Sequence, residues 1–230
     1  MTSLSINNQS LNMFSSPYIN ENMYLLIKED KALIIDPNNS EAALELLKSK
    51  RVKEITIFLT HEHPDHTCGI PMLKENFNTK LICQQLCAAA IADKINNRPL
   101  ILELILRFQD EKNGTHTADL YPYPQEEYHY HADVTFEQDL EYNWQGEHFV
   151  FRHTPGHSQG SCCIVWNEKA IFTGDSLFKD MPVITRFPKG NTKQYNQITK
   201  PYLESLPDDI LVLSGHGKSF IMKELREETA

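Results

Sequence analysis

Four side chains of types that bind metal ions lie within six residues of one another, directly after an apolar run. In the segment ITIFLTHEHPDH they are His61, His63, Asp65 and His66. In an extended turn, two imidazoles spaced two residues apart can reach one cation, and the bend at Pro64 lets the following pair reach a second. An isolated HxH pair arises often by chance, whereas HxHxDH is far more specific. The segment therefore predicts one loop that serves two metal ions.

Three later segments repeat a single pattern, in which an apolar run ends in a glycine and a metal-binding residue type. FVFRHTPGH ends at His157, AIFTGD ends at Asp175, and ILVLSGH ends at His216. A glycine beside a ligand lets the backbone approach a crowded site without an intervening side chain. Imidazole and carboxylate ligands suit zinc, and also iron or manganese. We therefore expect two divalent metal ions as cofactors, with zinc as the first choice and iron or manganese as alternatives.

Taken in order, the motifs HEHPDH, TPGHSQGS, FTGDSLF and SGHG resemble those of the metallo-β-lactamase superfamily, most closely its glyoxalase II-like (hydroxyacylglutathione hydrolase-like) branch. The resemblance runs from NMYLLIKEDKALIIDP through LPDDILVLSGHG, and only residues from about 96 to 131 have no counterpart. It implies that the first metal is held by His61, His63 and His157, the second by Asp65, His66 and His216, with Asp175 bridging the two.

The resemblance also implies a reaction. Two cations that share a water lower its pKa from 15.7 toward roughly 7, which supplies a hydroxide for hydrolysis of a thioester, ester or lactone. Asp65 would be both a ligand and the catalytic residue that orients the proton of the nucleophile. Glutathione-specific relatives add a C-terminal helical part, and this sequence ends at residue 230, soon after His216. The resemblance therefore leaves specificity for glutathione conjugates open.

Other activities of the same fold remain as alternatives. Persulfide dioxygenases, which are oxidoreductases, resemble this chain in the same motifs and use a single iron held by the His/His/Asp subset. We favour the hydrolase because the second-site residues Asp65, His66 and His216 are all present. A nuclease is less favoured because the chain is acidic, and a non-catalytic scaffold is less favoured because it would be expected to have lost ligands.

Charge and composition restrict the partners. The chain has 31 acidic and 22 basic residues, and its formal net charge of -9 disfavours nucleic acid and anionic membranes. The N-terminus lacks a secretory signal pattern, and the apolar run Pro99–Phe108 is too short to span a bilayer. Five cysteines form an odd set without a CxxC pair, which indicates reduced thiols. We therefore expect a cytoplasmic enzyme with a small-molecule substrate, with a homodimer as an open alternative.

Alternating apolar strands and helices must position these residues. We predict strands at 24–28, 32–36, 55–60, 80–83, 134–136, 149–153, 161–166, 170–173 and 210–213 and helices at 41–50, 72–78, 84–95 and 195–206, with a further helix started by Pro99. Asn38 and Glu41 resemble a capping box at the first helix. The pattern and the resemblance predict an α/β protein, specifically an αββα sandwich in which two mixed sheets lie between helical layers. We expect one domain over residues 1–230, with an inserted lid or dimer contact at about 96–131.

Several other polar residues are candidates for weaker roles. Arg186 and Lys189 follow Asp175 in a loop and are candidate substrate-binding residues, although solvated loop charges are the simpler interpretation. Asp36 in LIIDP also resembles a position of the family, but an aspartate that ends a strand before Pro37 is usually a turn former, and we interpret it as one. His129 and His131 receive no role. The tyrosines at 121, 123, 128 and 130 are expected to pack against apolar surface rather than to bind substrate.

Overall fold

Two mixed β-sheets, packed face to face, form the centre of the fold. They are seen in a computed structural model, which describes residues 1–6, 8–97, 102–104, 106–107, 110–111, 114–121 and 127–229.

The first sheet has seven strands in sequential order. They are β1 (Thr2–Ile6), β2 (Gln9–Ser15), β3 (Asn22–Lys28), β4 (Lys31–Ile35), β5 (Glu54–Phe58), β6 (Asn78–Gln84) and β7 (Val134–Phe136). Strands β1 to β4 pair antiparallel, and β4 to β7 pair parallel. The parallel strands bring the residues that follow β4 and β5 to the same edge of the sheet.

The second sheet has six strands and supplies the other half of that edge. They are β8 (Asp139–Trp144), β9 (Glu147–His153), β10 (Cys162–Trp166), β11 (Ala170–Gly174), β12 (Leu211–Ser214) and β13 (Phe220–Ile221). Their spatial order is β13-β12-β11-β10-β9-β8, and only β11 and β12 pair parallel. That parallel pair directs the residues after both strands to one end of the sheet.

Helices flank the two sheets. Those whose bounds the structure describes are α1 (Glu41–Ser49), α2 (Pro64–Thr67), α3 (Ile70–Asn76), α4 (Gln85–Ile91), α5 (Thr117–Leu120), α6 (Thr192–Gln194), α7 (Lys200–Glu204) and α8 (Met222–Thr229), with a π-helical turn at Tyr195–Thr199 between α6 and α7. Apolar residues of α1, α3 and α4 pack on the first sheet, and those of α7 and α8 pack on the second. The predicted αββα sandwich is confirmed.

Aromatic side chains fill the space between the two sheets. The ring of Phe58 meets those of Phe149 and Phe151 edge to face, with centroids 5.2 and 4.7 Å apart. Tyr24 meets Phe172 in the same way at 5.1 Å. Each such pair contributes about 0.5–1.5 kcal/mol beyond burial of its area. This core fixes the strand ends that carry the polar loops.

The structure also corrects the sequence predictions. The cap of α1 is Ser40, whose hydroxyl accepts a hydrogen bond from the Ala43 amide. Asn38 cannot take that role, because its side chain is buried and donates to the carbonyl of Phe14. The strands β1, β2, β8 and β13 and the helix α8 were not predicted, and α4 ends at Ile91, four residues earlier than expected.

Other expectations have mixed outcomes. All five cysteines are buried free thiols, as predicted. Within the described ranges, every helix is too short or too polar to traverse a bilayer. The helix start at Pro99 and the position of Tyr123 lie outside the described residues. The single-domain organisation and the role of residues 96–131 as a lid or dimer contact stay predictions.

Candidate metal centre

The predicted ligands lie on four loops at one edge of the sandwich. His61, His63, Asp65 and His66 follow β5, and α2 begins at Pro64, which suits the first turn of a helix because that position has no intrahelical N–H bond to lose. The turn between β9 and β10 carries His157, and the ends of β11 and β12 carry Asp175 and His216, respectively. Segments far apart in the sequence therefore converge.

His61, His63 and His157 form the first group. One nitrogen of each imidazole lies within 4.8 Å of the corresponding atoms of the others. Nδ1 of His63 is 2.9 Å from Nε2 of His157. Nδ1 of His157 donates to the carbonyl oxygen of Ile184 at 2.8 Å, which leaves the Nε2 lone pair facing the group. The geometry matches the set predicted for the first metal.

Asp65, His66 and His216 form the second group, whose donor atoms also lie within 4.8 Å of one another. Nε2 of His216 is 3.3 Å from the carboxylate of Asp65 and 3.3 Å from Nε2 of His66. Nδ1 of His216 donates to the carbonyl oxygen of Ile19 at 2.9 Å, so this imidazole also presents Nε2 to the group. These residues are the set predicted for the second metal.

Asp175 lies between the two groups. Its Oδ2 is 3.4 Å from Nε2 of His157, and its Oδ1 is 3.4 Å from Nε2 of His66. A Cβ atom on Gly215 would lie 2.3 Å from Oδ1 of Asp175, so only glycine leaves room for this carboxylate. One carboxylate thus reaches histidines of both groups, which is the arrangement that a bridging ligand requires.

The residues fit a bound metal on three independent grounds. Nε2 of His61 and Oδ1 of Asp175 are buried and have no hydrogen-bond partner among the described residues, which is costly unless a ligand binds there. The donor set is imidazole and carboxylate. Burial, with the neighbouring imidazoles, lowers the pKa of His61 well below its usual value and that of His63 to about 3, so both are neutral and able to bind a cation.

In the second group and at Asp175, carboxylates lie next to imidazoles, and each kind of group shifts the pKa of the other. Burial alone would raise the pKa values of Asp65 and Asp175, but neighbouring His66 and His216 hold both below the usual range. Burial alone would lower the pKa of His216, but Asp175 and a hydrogen bond to Asp65 raise it to about 9. Binding of a divalent cation here would therefore displace protons from the imidazoles.

Asp36 orients ligands from behind, a role that the sequence analysis missed. Asp36 does occupy a turn, with φ of 53°. Its carboxylate is buried, however, and accepts two hydrogen bonds from Thr60, one from the amide at 2.8 Å and one from the hydroxyl at 2.6 Å. Oδ2 of Asp36 is also 3.1 Å from Nδ1 of His66. Interpretation of Asp36 as only a turn former was therefore incomplete. The signal available in the sequence was the position of Asp36 directly after β4, the strand that pairs with β5 and therefore ends at the same edge of the sheet.

A second buried carboxylate, that of Glu21, lies behind the second group. Burial raises its pKa to about 8, and Nδ2 of Asn38 donates to its Oε2 at 2.9 Å. The backbone of Glu21 forms a β-bridge with His216. No motif in the sequence singled out this residue, because its environment is created by the tertiary fold.

Two of the four tyrosines support the helix that carries Asp65 and His66. The hydroxyl groups of Tyr128 and Thr67 are 2.8 Å apart, and the Tyr128 hydroxyl donates to the carbonyl oxygen of Pro64 at 3.3 Å. Tyr121 is buried against Cys68, with its hydroxyl 3.7 Å from the sulfur. The packing interpretation therefore holds for these two tyrosines. His129 and His131 are exposed.

The loop after Asp175 forms one wall of the centre. The ring centroid of Phe187 is 5.8 Å from that of His63 and 6.0 Å from that of His157. Ile184 is exposed in the same loop. Arg186 and Lys189 are also exposed, and the structure shows no ion pair for either with the described residues. The loop thus offers apolar surface next to the imidazoles and two charges that are free to meet an anion.

Comparisons with known proteins agree with this geometry. The family model described as "Metallo-beta-lactamase superfamily" matches residues 18–216. The hydroxyacylglutathione hydrolase GloC of Haemophilus influenzae is 28% identical over 192 residues, covering 82% of this chain and 81% of that protein. A probable metallo-hydrolase of Streptococcus pyogenes is 27% identical over 202 residues, covering 86% of this chain and 80% of that protein.

Solved structures show the same fold at lower identity. The BLEG-1 B3 metallo-beta-lactamase has a TM-score of 0.71 and 23% identity, covering 94% of this chain and 96% of its own. ETHE1 from Myxococcus xanthus has a TM-score of 0.63 and 21% identity, covering 93% of this chain and 80% of its own.

Proposed function

Because this chain belongs to the metallo-beta-lactamase superfamily, we propose that it is a hydrolase that cleaves a thioester, ester or lactone at a two-metal centre. One observation carries the proposal. Six donor residues form two groups of three, and the carboxylate of a seventh residue, Asp175, lies 3.4 Å from an imidazole of each group. The similarity to a hydroxyacylglutathione hydrolase and to a probable metallo-hydrolase supports hydrolysis over other reactions of this fold.

Each residue group has a defined task in this proposal. When bound, divalent metal ions supply Lewis-acid polarisation of the scissile carbonyl and lower the pKa of a water toward roughly 7. His61, His63 and His157 would hold the first ion through their imidazoles, and Asp65, His66 and His216 would hold the second. We assign Asp65 a second task, acceptance of a hydrogen bond from the attacking water, because this carboxylate is 17% exposed and is thus open to the cleft.

The loop after Asp175, which forms one wall of the centre, would set the orientation of the bound substrate. The apolar part of a small-molecule substrate would pack against Phe187 and Ile184, next to His63 and His157. Arg186 and Lys189 would attract a negatively charged group at the outer end of the same loop. This local positive charge is compatible with a net charge of -9, because electrostatic attraction acts mainly over about 10 Å at ordinary ionic strength. We propose that the enzyme acts in the cytoplasm and binds neither nucleic acid nor membranes.

The test is a count of metal ions per purified chain, followed by assays of hydrolysis. We expect close to two zinc ions per chain, with manganese or iron as alternatives, and activity on a panel of thioesters, esters and lactones. His216→Ala should remove one of the two ions and most activity, while His129→Ala, a change at an exposed histidine, should leave both intact. A single iron per chain, with oxygen consumption on a persulfide substrate, would instead establish the dioxygenase.

A further inference from the structure

Glu62 lies in the middle of the HEHPDH motif, yet its side chain points away from the centre. Its neighbours His61 and His63 belong to the first group, whereas Glu62 itself is 2% exposed and is no member of either group. A buried carboxylate is costly unless it accepts hydrogen bonds. The partners of this carboxylate therefore indicate what it does.

The partner of Glu62 is on the second ligand loop. The hydroxyl of Ser158 donates to Oε2 of Glu62 at 2.8 Å, and Ser158 directly follows the ligand His157. The Ser158 hydroxyl also lies 2.8 Å from that of Ser161, and the Ser161 hydroxyl accepts from the Ser158 amide at 3.1 Å. One carboxylate thus fastens the loop of His61 and His63 to the loop of His157.

The surroundings enclose this carboxylate. A Cβ atom on Gly160 would lie 2.6 Å from Oε2 of Glu62 and 2.3 Å from the amide nitrogen of Cys87. Nδ2 of Asn96 donates to the Glu62 carbonyl oxygen at 3.0 Å, so the backbone of this residue is held as well. The side chain therefore has little freedom to turn toward the ligands or toward solvent.

We propose that Glu62 is a positioning residue that sets the spacing of the three histidines of the first metal site. The inference rests on the proposed metal centre. A metal requires its donor atoms within about 0.2 Å of ideal distances, and removal of a group that orients a ligand costs about 10- to 100-fold in affinity. The Glu62–Ser158 hydrogen bond joins the two backbone segments that carry all three of these histidines.

The second group is held by other contacts, so the effect should be selective. His66 is held by Asp36, and His216 is held by the carbonyl oxygen of Ile19. The α2 helix is held by the hydroxyl of Tyr128 through Pro64. None of these contacts passes through Glu62, so loss of its carboxylate should weaken the first site and spare the second.

The experiment measures zinc affinity by chelator competition in variants that keep one site each. In a His216→Ala background, which retains the first site, Glu62→Ala should weaken zinc binding about 10- to 100-fold. In a His63→Ala background, which retains the second site, the same change should alter affinity less than about threefold. Glu62→Gln should stay within about threefold in both backgrounds, because the amide oxygen still accepts from the Ser158 hydroxyl.

Two further variants identify the mechanism. Ser158→Ala should reproduce the loss, and Glu62→Ala combined with Ser158→Ala should be no worse than either alone, because both remove one hydrogen bond. Glu45→Ala removes an exposed carboxylate and should change neither affinity. Thermal unfolding of the metal-free variants reports whether they are folded.

The proposal would be overturned by equal losses at both sites, by additive losses in the double variant, or by a Glu62→Gln variant as weak as Glu62→Ala. If the unchanged chain binds two zinc ions and Glu62→Ala binds the first as tightly, the positioning role fails while the centre stands. Absence of zinc binding in the unchanged chain would overturn both the centre and this inference.

Discussion

Replacement of Asp36 by asparagine should lower the zinc affinity of the second metal site more than that of the first. In the structure, the carboxylate of Asp36 is 2% exposed, accepts two hydrogen bonds from Thr60 and lies 3.1 Å from Nδ1 of His66. A carboxylate can accept all three hydrogen bonds. An amide has a single acceptor oxygen and two N–H donors, so Asp36→Asn preserves the shape and removes acceptors.

The expected loss of zinc affinity follows from the direction in which the NH₂ group of the new asparagine points. If the amide oxygen keeps the bond from the Thr60 amide, the NH₂ group faces Nδ1 of His66. His66 must then accept at Nδ1 and carry its proton on Nε2, the atom that lies 3.4 Å from Asp175 and should bind the metal. We expect the second site to lose about 10- to 100-fold in zinc affinity. That loss corresponds to about 1.4–2.7 kcal/mol.

Chelator competition with zinc measures this loss, and urea unfolding of the metal-free protein measures stability. The fold should lose about 1–3 kcal/mol, because one buried polar group loses its partner. Affinity of the first site should fall less than tenfold. Asp30→Asn is the matched control, because the Asp30 side chain is half-exposed and forms its ion pair with Lys53 at the surface. Second-site affinity within threefold of the unchanged chain would refute the orienting role of Asp36.

Four further outcomes are expected. Asp175→Ala should abolish hydrolysis and leave at most one tightly bound metal per chain, and an active variant with two metals would contradict the bridging assignment. Tyr128→Phe should lower the free energy of unfolding by about 1 kcal/mol in urea titrations, because the hydroxyl that supports α2 is lost; no change would show that this contact is dispensable. Zinc at 100 times its dissociation constant should stabilise the fold by about 2.7 kcal/mol per site in thermal unfolding, and removal by chelator should reverse this. Burial alone would raise the pKa of Glu147, but hydrogen bonds from Lys28 and Trp166 hold it below its usual value. The stabilisation by this carboxylate is therefore present above about pH 4.5 and is lost as the pH falls through the folded pKa, so the stability advantage over Glu147→Gln should shrink as the pH is lowered below about 4.5.

The central strands could be predicted because their apolar runs are long, whereas edge strands could not. In β2 only Leu11 and Phe14 are buried, so its sequence reads as polar. In β8 the alternation of Leu140, Tyr142 and Trp144 was present as a signal, but the intervening residues are polar and exposed, which hid it. Helix caps depend on one residue, and the predicted cap Asn38 was wrong because its side chain is buried, whereas Ser40 caps the helix.

At the centre, the predicted metal ligands could be identified from the sequence, whereas the residues that hold those ligands in place could not. The ligand types and their spacing in HEHPDH carry their own chemistry. Glu62 stands in the same motif, but its partner Ser158 is 96 residues away, so its task depends on how the two loops meet. Asp36 and Glu21 are likewise defined by neighbours that only the tertiary fold supplies.

The order in which the chain can acquire metal follows from the parallel pairing of β11 and β12. His66 and His216 are 150 residues apart, and β12 must dock beside β11 before His216 arrives at the edge. Contacts of such long sequence separation form slowly. The second ion can therefore bind only after residue 216 has been synthesised and packed, whereas the first needs its three histidines and the bridging Asp175 and so nothing beyond residue 175. Metal loading of the nascent chain should be sequential, with the second ion as the last component to join.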